Sequence, residues 1–212
     1  VSAKLTVCMI VRDEEALLPG ALHSVGPIAD ELIVGVDDRT TDATERIARA
    51  AGARIHHFTW CDDFSAARNI GLAKVRKDWV LVIDADERLT PFGAGMVRAV
   101  LRQPNTRVDG YCLETSQCTL AGREGRRDIS TVRLWPNNPQ TRYAGRVYEH
   151  PRHHGKMLTG GVLRGAIGLV HYGGDPDIFE TRRKTERNQR LFMMDSLKGD
   201  TAFCLRQKSA PR

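Results

Sequence analysis

DWVLVIDADERL, residues 78–89, sets a continuous apolar run, Trp79 to Ile83, directly before two carboxylates one residue apart, Asp84 and Asp86. A run of that length reads as a strand buried on both faces, as in the middle of a parallel sheet. The acids then stand where the strand leaves the core. Strand side chains repeat with period two, so Asp84 and Asp86 point the same way if extended geometry persists that far. Like charges side by side repel, and either a divalent cation or solvent compensates them.

Upstream of this stretch, strand and helix signals alternate. LTVCMIV (5–11), ELIVGV (31–36) and RIHHF (54–58) read as strands. LPGALHSV (18–25) reads as a helix with Pro19 in its first turn. TTDATERIARAAG is a second helix, with Asp42 and Glu45 spaced as a capping box and Gly52 at its end. FSAARNIGLAKV is a third, with Phe64, Ala67, Gly71 and Val75 on one face. Such alternation predicts parallel strands joined by right-handed crossovers, with helices on both faces and ligands outside the carboxyl ends of the strands. Asp84 and Asp86 fall there.

Downstream a helix starts near Thr90, then the pattern changes. GYCLETS (110–116) and STVRLW (130–135) predict strands around a Gly- and Arg-rich loop, PNNP (136–139) a turn, and VLRGAIGLVHYG (162–173) one further strand-like run. Residues 177–197 predict a closing helix. Its Arg182, Arg183 and Lys184 precede LFMM (191–194), so it either packs its apolar stripe on the domain or rests on an anionic membrane. The expectation is one domain over 1–212, with a first half (1–103), a second half (104–175) and a C-terminal helix and tail (176–212).

The composition, 41% hydrophobic and 27% charged over 212 residues, is that of a globular protein without an apolar stretch near membrane-spanning length. LTVCMIV reads as a first strand and not as a signal peptide, which predicts a cytoplasmic chain. Cys8, Cys61, Cys112, Cys118 and Cys204 make an odd count without CxxC spacing, so neither a disulfide framework nor a zinc knuckle is predicted. The net charge of +6 invites nucleic acid, but aromatic residues are 6% and do not interleave with the basic ones. No nucleic acid is expected; a phosphorylated small molecule or the inner face of a membrane uses the same charge.

Absences narrow the chemistry. MIVRDEE after the first strand carries no glycine, which excludes a GxGxxG fingerprint, and no GxxxxGK[ST] loop occurs. A phosphatase with an aspartyl nucleophile wants Thr or Val four residues past its first acid; Arg88 stands there. Sugar-phosphate nucleotidyltransferases want a Gly-rich loop after the first strand, and it is missing.

VCMIVRDEE (7–15), VDDRTTDAT (36–44), WCDDFSAARNIGL (60–72) and VIDADERL (82–89) resemble the successive motifs of glycosyltransferase family 2. RLW, RYAGRVYEH and GLVHYG extend the likeness over nearly the whole chain. The nearest branch is that of lipopolysaccharide-core glucosyltransferases and glycocin peptide S-glycosyltransferases. The resemblance implies an α/β fold of GT-A type, Rossmann-like, with a mixed and mainly parallel sheet. It also implies a metal-dependent, inverting transfer of a hexose from a UDP-sugar to a glycan, lipopolysaccharide or peptide acceptor. The reading from another class is a non-catalytic nucleotide-sugar or nucleic-acid binding module.

By the same resemblance, Asp84 and Asp86 match a DxD motif, in which Asp86 ligates Mg2+ or Mn2+ bound to the donor diphosphate; on their own the acids also suit capping of the helix near Thr90. Arg12 and Glu14 match positions lining the uridine, and Asp37 and Asp38 match acids receiving base and ribose. Arg68 reaches the nucleotide or makes a surface salt bridge. Asp62 and Asp63 cap the helix that follows them or do more. Glu149 is the candidate base for the acceptor, or the partner of a nearby arginine. His171 completes the metal site or is a hydrogen-bonding residue at a strand end. Two departures stand out. Arg39 replaces the usual glycine of the second motif, which bears on the tight turn and puts a cation near the diphosphate or acceptor. Tyr148 replaces the usual histidine before Glu149, which bears on acceptor choice.

Overall fold

The computed structural model describes residues 3–173, 175 and 184–196. Its first half runs β1 (Leu5–Val11), α1 (Leu18–Val25), β2 (Glu31–Asp37), α2 (Thr44–Ala50), β3 (Arg54–Phe58), α3 (Phe64–Leu72), β4 (Trp79–Val82), β5 (Glu87–Leu89) and α4 (Pro91–Arg102). The second half adds β6 (Gly110–Cys118), β7 (Glu124–Ile129), β8 (Leu134–Pro136), β9 (Thr141–Ala144), β10 (His150–His153), β11 (Lys156–Met157), β12 (Gly160–Leu163), β13 (Leu169–His171) and α5 (Lys184–Ser196).

The main sheet is ordered β3-β2-β1-β4-β8-β6-β13-β5, with β7 and β12 also pairing with β6. The β3-β2-β1-β4 portion is parallel. β8 then runs antiparallel to β4, with Val80 opposite Trp135 and Leu81 opposite Leu134, and this pairing joins the two halves into one sheet. β9, β10 and β11 form a separate antiparallel sheet.

Period-two alternation sorts the core. On one face Leu5, Val7, Met9 and Val11 of β1 and Leu81 of β4 pack with Leu18, Leu22 and Val25 of α1 and Val97 and Leu101 of α4. On the other, Cys8, Val80 and Val82 pack with Leu72 of α3, Trp135 and Tyr143. Each such side chain, fully buried, contributes roughly 1.5–3 kcal/mol. Both faces of β1 and β4 are therefore dry, as their apolar runs predict.

Local chemistry sets the helix ends that matter to the site. The Asp63 carboxylate accepts from the Ala66 N–H at 2.9 Å and caps α3. The Thr90 hydroxyl accepts from the Gly93 N–H at 3.0 Å and caps α4, with Pro91 in the first turn. Gly93 is needed for close approach: a Cβ there would stand 2.2 Å from the Gly168 carbonyl oxygen.

Several expectations are corrected. Asp42 and Glu45 form no capping box: the Asp42 carboxylate takes the N–H groups of Thr44 and Glu15, and Glu45 pairs with Arg49 and His57. The Arg-rich segment is strand β7, held by backbone pairing to β6 and carrying no buried apolar face. Only the end of STVRLW is strand, because residues 130–133 turn through the Ser130 and Arg133 backbone bonds to Leu113 and Tyr111. The 162–173 run is two strands, parted at residues 164–168 so that β12 and β13 pair with successive lengths of β6. Of the closing helix, 184–196 is observed, and 177–183 and 197 lie outside the described residues, as do Arg182 and Arg183. Leu191 is buried against the domain while Met193 is exposed. Among the described residues no helix is long and apolar enough to cross a membrane.

Candidate active site

The carboxyl ends of β1 to β4 open into a cleft of about 980 Å³. Its walls carry Arg12, Glu14, Asp37, Arg68, Asp84, Asp86, Glu149 and His171, so eight residues singled out in the sequence come together. Asp38 does not line it; its carboxylate accepts from the Thr59 hydroxyl at 2.6 Å. Arg39, Phe58, Trp60, Asp62 and Tyr148 also line the walls, as do Arg187, Asn188 and Arg190 of α5.

The loops after β1 and β2 lock each other. Asp13, in the left-handed region at φ 49°, accepts from the Thr41 N–H at 2.9 Å, and the Glu14 N–H donates to the Thr44 hydroxyl at 2.7 Å. Arg39 keeps an ordinary negative φ, and the turn closes by the Thr40 N–H on the Asp37 carbonyl at 2.9 Å. The loss of glycine therefore does not break the turn.

Extended geometry ends before the paired acids. β4 stops at Val82, and the Glu87 N–H returns to the Asp84 carbonyl at 3.0 Å, so Asp84 and Asp86 stand on a turn with different partners. The Asp84 carboxylate takes Arg68 Nη2 at 2.9 Å and lies 3.6 Å from Arg133 Nη1. Burial opposes its ionisation, but the two guanidinium groups outweigh that and hold its pKa below the usual carboxylate range. Its repulsion is thus compensated by arginines. Asp86 lies 3.6 Å from His171 Nε2, while Gln117 Oε1 takes the other ring nitrogen at 2.7 Å and orients the imidazole. Burial would lower the His171 pKa; the Asp86 carboxylate, with Glu87 and Asp84 behind it, raises it instead.

Arg68 is nearly buried and bridges two acids: its Nε donates to Glu149 Oε1 at 2.6 Å and its Nη2 to Asp84. It is neither a surface salt bridge nor an open cation. α3, which carries Arg68, also holds the segment leading to Glu149, through the reciprocal bonds of Asn69 with the Tyr143 backbone at 3.0 and 2.8 Å. Asp63 caps this helix only, whereas Asp62 accepts a bidentate pair from Arg190 at 2.7 and 2.6 Å and so fastens α5 over the cleft. Tyr148 sits beside Glu149 at φ 55°, its ring exposed at the cleft wall.

Sequence reasoning missed two residues at the centre of this network. Glu87, buried, takes Arg133 Nη2 at 2.7 Å and the Asp84 N–H at 2.9 Å; burial pushes its carboxyl up to about 7 against the pull of Arg133. Arg133 is placed by backbone bonds from the Val82 N–H to its carbonyl and from its own N–H to Tyr111, both 2.9 Å. The RLW likeness touched Arg133 without giving it a role.

Among the described residues no group of three or more His, Cys, Asp and Glu side chains converges to hold a metal alone. Asp86 and His171 offer one carboxylate and one imidazole nitrogen, two of the ligands that a divalent cation takes.

The family described as Glycosyl transferase family 2 matches residues 6–158. The chain belongs to this family. Among relatives of this glycosyltransferase family 2 chain, a TPR repeat-containing protein of Synechococcus elongatus is 42% identical over 69% of the chain and 35% of the relative. The SPbeta prophage-derived glycosyltransferase SunS of Bacillus subtilis is 26% identical over 88% of the chain and 44% of SunS. The chain thus spans under half the length of either. In fold it is similar to S. aureus TarS 1-349, with a TM-score of 0.57, 13% identity, and coverage of 84% of this chain and 62% of that one. The same TarS fragment in complex with UDP-GlcNAc aligns at a TM-score of 0.50, with 14% identity over 85% and 65% of the two chains. The likeness shows a GT-A fold.

Proposed function

We propose that the chain is a glycosyltransferase domain that moves a hexose from a UDP-sugar to a hydroxyl or thiol of a glycan, lipopolysaccharide or peptide, with inversion and with Mg2+ or Mn2+. The observation that carries this reading is the convergence of Asp84, Asp86, Glu149 and His171 around nearly buried arginines, at the carboxyl end of β4, in a cleft large enough for a nucleotide sugar. The TarS complex with UDP-GlcNAc supports the donor class.

In this reading Asp86 and His171 would hold the cation, which when bound would supply charge stabilisation to the departing diphosphate. Arg12 and Glu14 flank the uridine, and Asp84, fixed by Arg68 and Arg133, presents an immobile acceptor to donor hydroxyls. Asp37 and Asp38 retain the base and ribose side, Asp37 from the wall and Asp38 from behind it. Glu149 is pinned through Oε1 by Arg68, and its other oxygen takes the proton as the acceptor attacks the anomeric carbon and the bond to the diphosphate breaks. A cytoplasmic location, with contact at the inner membrane face, goes with this reading.

The test is incubation with a panel of UDP-sugars and Mn2+, with and without candidate acceptors, and assay of free UDP. Release by at least one donor, falling about 100-fold or more in Asp86→Ala, is expected. No release with any donor, and no change in Asp86→Ala, would sink the proposal.

A further inference from the structure

The end of the cleft away from Asp84 holds an arginine, Arg39, to which the reaction above gives no role. Asp37 closes β2 and is 3% exposed. One residue occupies most of its carboxylate: Arg39 donates its backbone N–H to Oδ1 at 3.0 Å, Nε to Oδ1 at 2.9 Å and Nη2 to Oδ2 at 2.5 Å. A carboxylate offers about four acceptor sites, so about one is left for a ligand. The same guanidinium lies over the Trp60 ring, 5.8 Å from its centroid. Trp60 in turn donates Nε1 to Asp62 at 2.8 Å, and Asp62 is clamped by Arg190. Arg39 is therefore held from two sides, yet its side chain is 47% exposed and lines the cleft. Among the described residues its Nη1 makes no hydrogen bond, so donors remain for a ligand.

Its place in the sheet suggests what that ligand is. β2 lies two strands from β4, across β1, which is about 10 Å at ordinary strand spacing. That is the reach of a nucleoside from its phosphates to the far edge of its base. With a diphosphate beside Asp86, the base arrives at the aromatic end of the cleft, where Phe58 and Trp60 offer apolar faces. With the donor placed in this way, Arg39 meets the base end of the nucleotide.

We infer that Arg39 reads the nucleobase of the donor, as a hydrogen-bond donor standing in front of the Asp37 carboxylate. This rests on the nucleotide-sugar reading and adds to it which side chain discriminates between bases. An open carboxylate accepts from ring N–H and amino groups; a guanidinium donates to carbonyl oxygens. A fixed Arg39 favours bases that present a carbonyl at that edge, uracil O4 or guanine O6. It disfavours cytosine and adenine, which present an amino group there.

The experiment measures binding of UDP, GDP, CDP and ADP, each with Mg2+, to the wild-type chain, to Arg39→Gly and to the double variant Asp37→Asn with Arg39→Gly. The double variant leaves no unpaired buried charge in the turn and serves if the single variant fails to fold, which a thermal melt reports. The wild type should bind UDP or GDP at least about tenfold tighter than CDP or ADP, or roughly 1.4 kcal/mol. That preference should fall towards one in the double variant, and fall or reverse in Arg39→Gly as Asp37 opens. A wild type that binds none of the four overturns the nucleotide-sugar reading itself. A wild type that binds with no preference, or variants that weaken all four equally and keep the preference, overturn the role of Arg39 alone.

Discussion

The two ends of the cleft solve one problem, a carboxylate at the end of a buried strand, by opposite means. At β2, Asp37 is satisfied by a side chain two residues on. At β4, Asp84 and Glu87 are satisfied by Arg68 and Arg133, 16 and 46 residues away from the acids they bind. A local pair can change with one substitution and leave the sheet intact. The distant pair ties α3 and the second half of the chain to the tip of β4, so it is part of what holds the fold together. The end that carries the proposed chemistry is the one that the whole fold supports, and the end proposed to choose the base is the one that can vary.

The largest expected difference is in stability. Arg133→Met leaves Asp84 and Glu87 facing each other without their shared cation, and breaking a buried pair on one side costs about 3–5 kcal/mol. Arg39→Met also leaves a buried carboxylate, but Asp37 keeps the backbone N–H of residue 39 and lies at the wall of the open cleft, so the cost should be smaller, about 1–3 kcal/mol. Urea denaturation of both variants measures the gap. Equal losses would show that the two ends do not differ in this way.

Next in size is a split between stability and turnover. Glu149→Gln keeps an acceptor for Arg68 Nε and should unfold at nearly the wild-type urea concentration. Its sugar transfer, measured at saturating donor, should fall about 100-fold or more if Glu149 takes the acceptor proton. A variant that transfers at the wild-type rate would remove Glu149 from the chemistry and leave it a structural partner of Arg68.

A pH-dependent effect comes from beneath the β2 end. His56 of β3 is packed between Gly35 of β2 and Gly71 of α3, where a Cβ would come within 2.6 and 3.1 Å of its ring. Burial pushes its pKa down to about 4, below the ordinary 6.5 that the unfolded chain keeps. Between these values the unfolded state binds a proton that the folded state refuses. Stability is therefore lost as pH falls from 6.5 towards 4, with a slope approaching 1.4 kcal/mol per unit for this group, about the value of one proton. His56→Gln should remove that slope from a series of urea melts at pH 4.5 to 7. An unchanged slope would mean that His56 is not its source.

What the sequence made legible follows the same division. β1 and β4 were readable because burial on both faces demands unbroken apolar runs, and α1, α3 and α4 because they carry apolar stripes with caps or Pro at fixed offsets. Most of the site residues were readable because each sits just past such a strand. Glu87 was hidden because DERL looks like a solvated run until the chain turns at Asp84 and carries it inward. Arg133 was hidden because its partners lie 46 or more residues upstream and no periodicity marks them. β7 and β9 to β11 were unreadable for a further reason: EGRRDI, TRYA and HPRH carry no apolar alternation, and backbone pairing holds β7 to the main sheet and β9 to β11 in their own. Extended geometry at Asp84 and Asp86 failed as well, since residue spacing does not say where a strand stops.

The smallest effect sharpens the contrast most finely. Asp63→Ala deletes the cap of α3 and should cost about 1 kcal/mol, the ordinary worth of an N-cap carboxylate. Arg68 sits in the second turn of that helix, so fraying at its start loosens the cation shared by Asp84 and Glu149. The β2 end draws on no part of α3 for its pair: Arg39 and Asp37 belong to one turn. The variant should therefore weaken binding of UDP with Mg2+ by a few-fold while the ratio of UDP to CDP affinity stays at its wild-type value. A changed ratio would mean that the two ends communicate through α3, and the division between a fold-supported end and a locally determined end would have to be given up.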